Sequence, residues 1–168
     1  NECFDKLYSI VISLGFTQIV YARQNVKPKI DEKNWYPLKL NVRNFPNGWD
    51  RQWKHFESHD PYYHACFNST LPFSWKKVQK SNLYSEEKQA WKYLADFGLS
   101  NGMTIPMHSP NGKFAVISVI LNKDKINWSE IYQNNYKKMF IISHVFNEFI
   151  NQKGFVDQAK ITNFQLLS

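Results

Sequence analysis

Residues 103–121 read MTIPMHSPNGKFAVISVIL. Ser109, Pro110, Asn111 and Gly112 form a turn signal between two apolar runs, so 103–108 and 113–121 are expected to pair as a β-hairpin. In the second run Phe114, Val116 and Ser118 share one face of the strand, and Ala115, Ile117 and Val119 share the other. Apolar residues on both faces imply a sheet covered on both sides, with one layer serving as core and the other free to enclose a pocket.

Outward from the hairpin, the same logic assigns the rest of the chain. Residues 2–14 carry Phe4, Leu7, Tyr8 and Val11 at helical spacing before Gly15, and are expected to be a helix packed on the sheet. Residues 17–24 read as a strand with Val20, Ala22 and Gln24 on one face and Ile19 and Tyr21 on the other. The stretch 25–37 holds two prolines and five charged residues and reads as a long loop or flap, followed by a second strand over 38–43. Helices are expected from Pro46 to about 56, from Pro61, capped by Asp60, to about 69, and over 85–97, where Gly98 follows as the stop. A long helix from about 127 to 151 starts at Asn127 and Glu130, spaced as a capping box. The fold class is therefore α/β (α+β): an α-β-α sandwich with a central, mainly antiparallel sheet flanked by helices.

The 168 residues show no repeat or Gly/Ser linker, which gives a single domain over 1–168, with about 153–168 as a tail or linker. Cys3 and Cys66 have neither CxxC spacing nor a His-rich neighbourhood, so no zinc module or disulfide framework is expected. No apolar run approaches the roughly 20 residues of a membrane span. The acidic N-terminus is unlike a signal peptide. A cytoplasmic chain without membrane contact fits these features. The net charge of +7 is dispersed over 23–39, Lys76, Lys77, Lys80, Lys137 and Lys138, with no arginine-rich stripe and no nucleic-acid-binding motif, and reads as a solvated surface.

Catalytic signals are missing. There is no GxSxG, HExxH, phosphate-binding loop or dinucleotide fingerprint. His108 on its strand reads as structural, and His55, His59 and His64 with Cys66 give no standard metal spacing. Aromatic residues make up 17% of the chain, more than a plain core needs, and they concentrate in 44–75, NFPNGWDRQWKHFESHDPYYHACFNSTLPFSW. Trp49 and Trp53 lie four apart and would share a helix face, Asp60 opens the next helix, and Trp75 follows a polar bend. This pattern fits an aromatic core with a capping aspartate. The alternative is a pocket whose polar groups are an indole N–H, a carboxylate and the Ser118 hydroxyl.

The joint spacing of Trp49, Trp53, Asp60–Pro61, Trp75 and Gly102, with the hairpin that follows, resembles the autoinducer-binding domain of LuxR-type quorum-sensing regulators over nearly the whole chain. The resemblance implies a bacterial signalling protein in which an α-β-α sandwich encloses an acyl-homoserine lactone as signal ligand, with no other cofactor, no metal and no catalysis. Trp49 would donate its indole N–H to the lactone carbonyl, Asp60 would accept the ligand amide N–H, and Ser118 would bond the amide carbonyl. Trp75 would pack beside the lactone ring. Val20, Ala22, Tyr62, Tyr63, Trp91, Leu94, Leu99, Phe114 and Val116 would line the acyl path.

The family usually carries tyrosine where this chain has Trp53, and often where it has Phe45, and the stretch from Trp53 to Asp60 is two residues shorter than its common pattern. Bulky Trp91, Leu94 and Phe114 would narrow the far end and favour a short, branched or aromatic acyl group. The resemblance also implies a homodimer through the long last helix, whose Tyr132, Tyr136, Met139, Phe140, Val145 and Phe149 exceed one core-facing stripe. DNA contact would belong to a C-terminal helix-turn-helix domain that this chain lacks. The alternatives are a receptor for a non-lactone small molecule or a truncated, sequestering antagonist. An acyltransferase-like enzyme would need a base or cofactor loop, and a ligand-free scaffold would tolerate loss of the Asp60 charge.

Overall fold

The computed structural model describes residues 2–24, 38–122 and 127–153. Its centre is a five-stranded sheet of order β2-β1-β5-β4-β3, antiparallel at every pair, built from β1 (Gln18–Gln24), β2 (Lys39–Arg43), β3 (Phe73–Ser74), β4 (Gly102–His108) and β5 (Phe114–Ile120). The hairpin forms as its turn residues dictate, with His108 paired to Phe114 and Thr104 to Ser118 across β4 and β5. Alternation along β1 and β5 then sorts side chains to two faces.

On one face, helices α1 (Glu2–Ser13) and α5 (Trp128–Lys153) cover Ile19, Tyr21, Ala115, Ile117 and Val119. Phe4, Leu7, Met139 and Phe146 are fully buried there, and Phe146 meets Tyr21 edge-on at 5.1 Å between ring centroids. Much of the aromatic surplus of α5 belongs to this core: Met139 is buried, and Tyr132, Tyr136 and Phe149 pack against it. Val145, 39% exposed, and Ile141, 58% exposed, lie outside it.

On the other face lie α2 (Pro61–Ala65), α3 (Trp75–Gln79) and α4 (Ser85–Asp96), packed on Ala22, Phe114, Val116 and Ile120. Helix α4 ends as expected at Gly98, whose φ of 77° lets the Gly98 and Leu99 N–H groups turn back to the Ala95 and Leu94 carbonyls. That closing turn brings Leu94 and Leu99 together.

Three expectations need correction. Residues 46–56 do not form an α-helix. Gly48, at φ 82°, interrupts the helical backbone, and a succession of tight turns leads into a 3-10 turn at Trp53–His55. The helix begun by Pro61 stays α-helical only to Ala65 and tightens to a 3-10 turn over Cys66–Asn68. Strand β3 and helix α3 were not anticipated, because two strand residues and a single helical turn carry no periodicity to read. The flap expected over 25–37 and the tail from 154 lie outside the described residues.

Candidate ligand-binding site

Between the sheet and helices α2 to α4 lies a cavity of about 80 Å³. The strands supply Val20, Ala22, Val116 and Ser118 from alternate positions facing this layer. The turn segment supplies Phe45, Trp49 and Trp53, helix α2 supplies Tyr62 and Tyr63 with Asp60 at its cap, α3 supplies Trp75, α4 supplies Leu94, and the turn after α4 supplies Leu99. Thirteen of the fifteen residues expected at the site therefore line one cavity.

Two expected residues do not reach its wall. Phe114 faces the right layer but stacks on Phe67 at 5.9 Å and meets Tyr63 edge-on, outside the cavity. Trp91 sits beside the inward stripe of Ala90 and Leu94 and packs only partly into this layer. Neither narrows the cavity, so of the three bulky residues expected to do so only Leu94 remains. Leu38, Leu40, Glu57, Cys66 and Thr104 line it without having been singled out. The hairpin register, which sets Thr104 opposite Ser118, is the signal that finds Thr104.

Asp60 is placed by helix capping. Its Oδ1 accepts the backbone N–H groups of Tyr62 at 2.9 Å and Tyr63 at 3.3 Å, while Pro61 occupies the first helical position. Oδ2 has no partner among the described residues. Burial pushes the carboxyl up to about 6, against the pull of those two N–H groups and of His64, and Glu87 adds to the rise. His64 bridges Glu87 Oε1 at 2.8 Å and the Ser58 carbonyl at 2.9 Å, tying α2 to α4.

The turn segment has i→i−3 backbone bonds in place of an α-helical ladder, and ring contacts brace it. Phe45 meets Trp49 edge-on at 5.0 Å, Trp49 lies 6.1 Å from Trp53, and Tyr93 of α4 stacks on both Trp53 and Phe56. The Tyr93 hydroxyl donates to the Trp49 carbonyl at 2.6 Å. The indole N–H of Trp49 has no partner among the described residues.

Trp75 is clamped. Tyr62 stacks on it at 4.1 Å with planes 7° apart, and Gly102 passes so close that a Cβ there would fall 2.3 Å from the indole. Its N–H donates to Thr104 Oγ1 at 2.8 Å, and Thr104 Oγ1 lies 2.7 Å from Ser118 Oγ. Gln79 Nε2 donates to the Tyr62 hydroxyl and Gln24 Nε2 to that of Tyr63. The Cys66 thiol donates to the Tyr62 carbonyl, and burial raises its pKa, so it is not an activated nucleophile. His108 Nε2 holds the Cys66 and Ser69 carbonyls, the structural role expected of it. No cluster of His, Cys, Asp or Glu among the described residues fits a metal ion, and no helix there is long and apolar enough to cross a membrane.

Comparison with known proteins agrees with this geometry. Residues 1–150 match the family model described as the autoinducer binding domain. The transcriptional activator TraR of Agrobacterium vitis is 28% identical over 90 residues, 52% of this chain and 38% of that protein. TraR of Rhizobium radiobacter is 26% identical over 89 residues, 51% of this chain and 38% of its own length. The aligned region thus spans well under half of these relatives.

Among solved structures, CepR2 of Burkholderia cenocepacia, an N-acylhomoserine-lactone-dependent LuxR-family transcription factor, superposes with a TM-score of 0.67 at 16% identity, covering 90% of this chain and 93% of that one. SdiA in complex with octanoyl-rac-glycerol gives 0.62 at 16% identity, covering 98% and 64%. At such identities the superpositions establish the fold, and the family match over most of the chain establishes the rest: this chain belongs to the autoinducer-binding domains of LuxR-type quorum-sensing regulators.

Proposed function

We propose that this domain binds an acyl-homoserine lactone, without chemical turnover, and passes the occupied state on to dimerisation and DNA binding by the regulator. The observation that carries this reading is the pairing, in one largely apolar cavity, of an open donor, Trp49 Nε1, with an open acceptor, Asp60 Oδ2. A lactone amide offers the complementary set. Its carbonyls take N–H or O–H donors, and its N–H needs a carboxylate or carbonyl. Trp49 donates to the lactone carbonyl, Asp60 accepts the amide N–H, Ser118 meets the amide carbonyl, and the stacked Trp75 and Tyr62 form a flat wall beside the ring. The acyl tail runs along Val20, Ala22, Val116, Leu94 and Leu99. A buried amide group left unpaired costs about 1–3 kcal/mol, so this wall favours an amide-linked head over a plain fatty acid.

A cavity of about 80 Å³ is small for a lactone head with a long tail, which supports a short acyl chain. The exposed Ile141 and Val145, one helical turn apart on α5, support a homodimer through that helix, in which these two side chains leave water. DNA binding belongs to a helix-turn-helix domain of the regulator. A non-lactone acyl ligand is the second reading. The solved SdiA complex holds octanoyl-rac-glycerol, and this chain carries Trp53 where the family usually has a tyrosine hydroxyl.

Titration calorimetry with N-butanoyl-, N-hexanoyl-, N-octanoyl- and N-dodecanoyl-homoserine lactones and with octanoyl-glycerol tests the reading. Binding of lactones with short chains ahead of dodecanoyl is expected. Binding of the glycerol ester alone transfers the assignment to the second reading, and no binding by a folded, ligand-free protein overturns both.

A further inference from the structure

Resting on the lactone reading above, we propose that Thr104 is a positioning residue that makes the Ser118 hydroxyl a hydrogen-bond donor toward a carbonyl-type oxygen of the ligand. An indole nitrogen only donates, so Thr104 Oγ1 accepts from Trp75 Nε1 at 2.8 Å. Thr104 is 2% exposed, and its other partner among the described residues is Ser118 Oγ at 2.7 Å.

If Ser118 donated to Thr104, the Thr104 proton would be buried without a protein acceptor, an unfavourable arrangement. The favoured chain therefore runs from Trp75 N–H to Thr104 and from Thr104 O–H to Ser118. The Ser118 proton is then directed to the cavity that this residue lines. Each bond polarises the next, which strengthens the terminal donor. The start of the chain is fixed rigidly, because the indole is trapped between the Tyr62 ring and the Gly102 backbone. The ligand at this point is consequently read as an acceptor: an amide carbonyl fits, and a group presenting a proton does not.

The test is a double-substitution cycle on the intact chain, using the tightest-binding lactone of the panel and its thioamide analogue, whose sulfur is the poorer acceptor. Thr104→Val is expected to weaken amide binding about 3- to 10-fold, and Ser118→Ala similarly, in line with one hydrogen bond. Thr104→Val in the Ser118→Ala background should add less than about twofold. Thr104→Ser should restore binding, and the preference for amide over thioamide should shrink equally in Thr104→Val and Ser118→Ala. A purely structural Thr104 would leave that preference intact. If Thr104→Val does not fold, Thr104→Cys, with its weak S–H, carries the same comparison. Equal losses from Thr104→Val with and without Ser118, or no loss at all, overturn the relay while the lactone reading stands. Failure of the unsubstituted protein to bind any lactone overturns both.

Discussion

The two faces of the central sheet are built by opposite means. Toward α1 and α5, the strands meet long regular helices, and Phe4, Leu7, Met139 and Phe146 fill the layer; the recess of about 80 Å³ on that side is lined mainly by polar side chains, among them Arg23, Ser109, Asn147 and Asn151. Toward α2, α3 and α4, the same strands meet two helices of little more than a turn, the longer α4, a segment of tight turns braced by ring contacts, and polar side chains whose hydrogen bonds are partly unspent. The difference teaches that one alternating strand, β5, serves both purposes. Ala115, Ile117 and Val119 join the buried core, while Val116 and Ser118 face the cavity. The solid layer lies on one side of the sheet and the cavity on the other.

Substitutions that strike one side alone test this division. The largest expected effect is on the solid face. Phe146→Ala removes a fully buried ring and should cost about 3–5 kcal/mol in denaturant unfolding, with ligand affinity of the remaining folded protein unchanged. A comparable loss of affinity at full folding would break the comparison. On the cavity face, Gly102→Ala drives a methyl group against Trp75. It should cost about 1–3 kcal/mol in stability and abolish measurable ligand binding, as read by calorimetry.

A smaller and reversible probe is pH. The folded Asp60 carboxyl titrates at about 6 and an unfolded aspartate at about 4, so the folded chain keeps a proton that the unfolded chain has released. This contribution to stability is complete below about pH 4 and is lost as pH rises through 6. A ligand N–H aimed at Asp60 favours the charged form, so affinity should rise over the same window with release of up to one proton. Calorimetry in buffers of different ionisation heat measures this, and affinity independent of pH between about 5 and 7 contradicts it. The smallest effect is expected at Trp91→Phe. Its indole nitrogen is buried without a partner among the described residues and its ring lies off the cavity wall, so affinity should stay within about twofold. A tenfold loss would return Trp91 to the acyl path.

The features legible in the sequence are those with local rules. The Ser-Pro-Asn-Gly turn specified the hairpin, alternation along β1 and β5 separated the two faces, and Asp60 before Pro61 marked a cap whose carboxylate lines the cavity. What escaped has no local signature. Strand β3 is two residues long and α3 is one turn. Gly48 broke the helix expected from Pro46, yet ring contacts accompany both indoles to the cavity wall. Phe114 was assigned to the correct face, but position along a strand does not say whether a ring meets the cavity or the Phe67 ring beside it. Thr104 acquires its role only from the cross-strand register and from Trp75, 29 residues away.

The central claim is that Trp49 and Asp60 read the lactone head while the opposite face holds the fold. Thermal unfolding of the unsubstituted chain, Trp49→Phe and Asp60→Asn, with and without a lactone at about 100 times its dissociation constant, tests it most directly. The ligand should add about 2.7 kcal/mol, or roughly 5–11 °C, to the unsubstituted protein. Both variants should melt near the unsubstituted apo temperature, since Asn caps a helix about as well as Asp, and should lose most of the ligand shift. A full ligand shift retained in both variants would contradict the account.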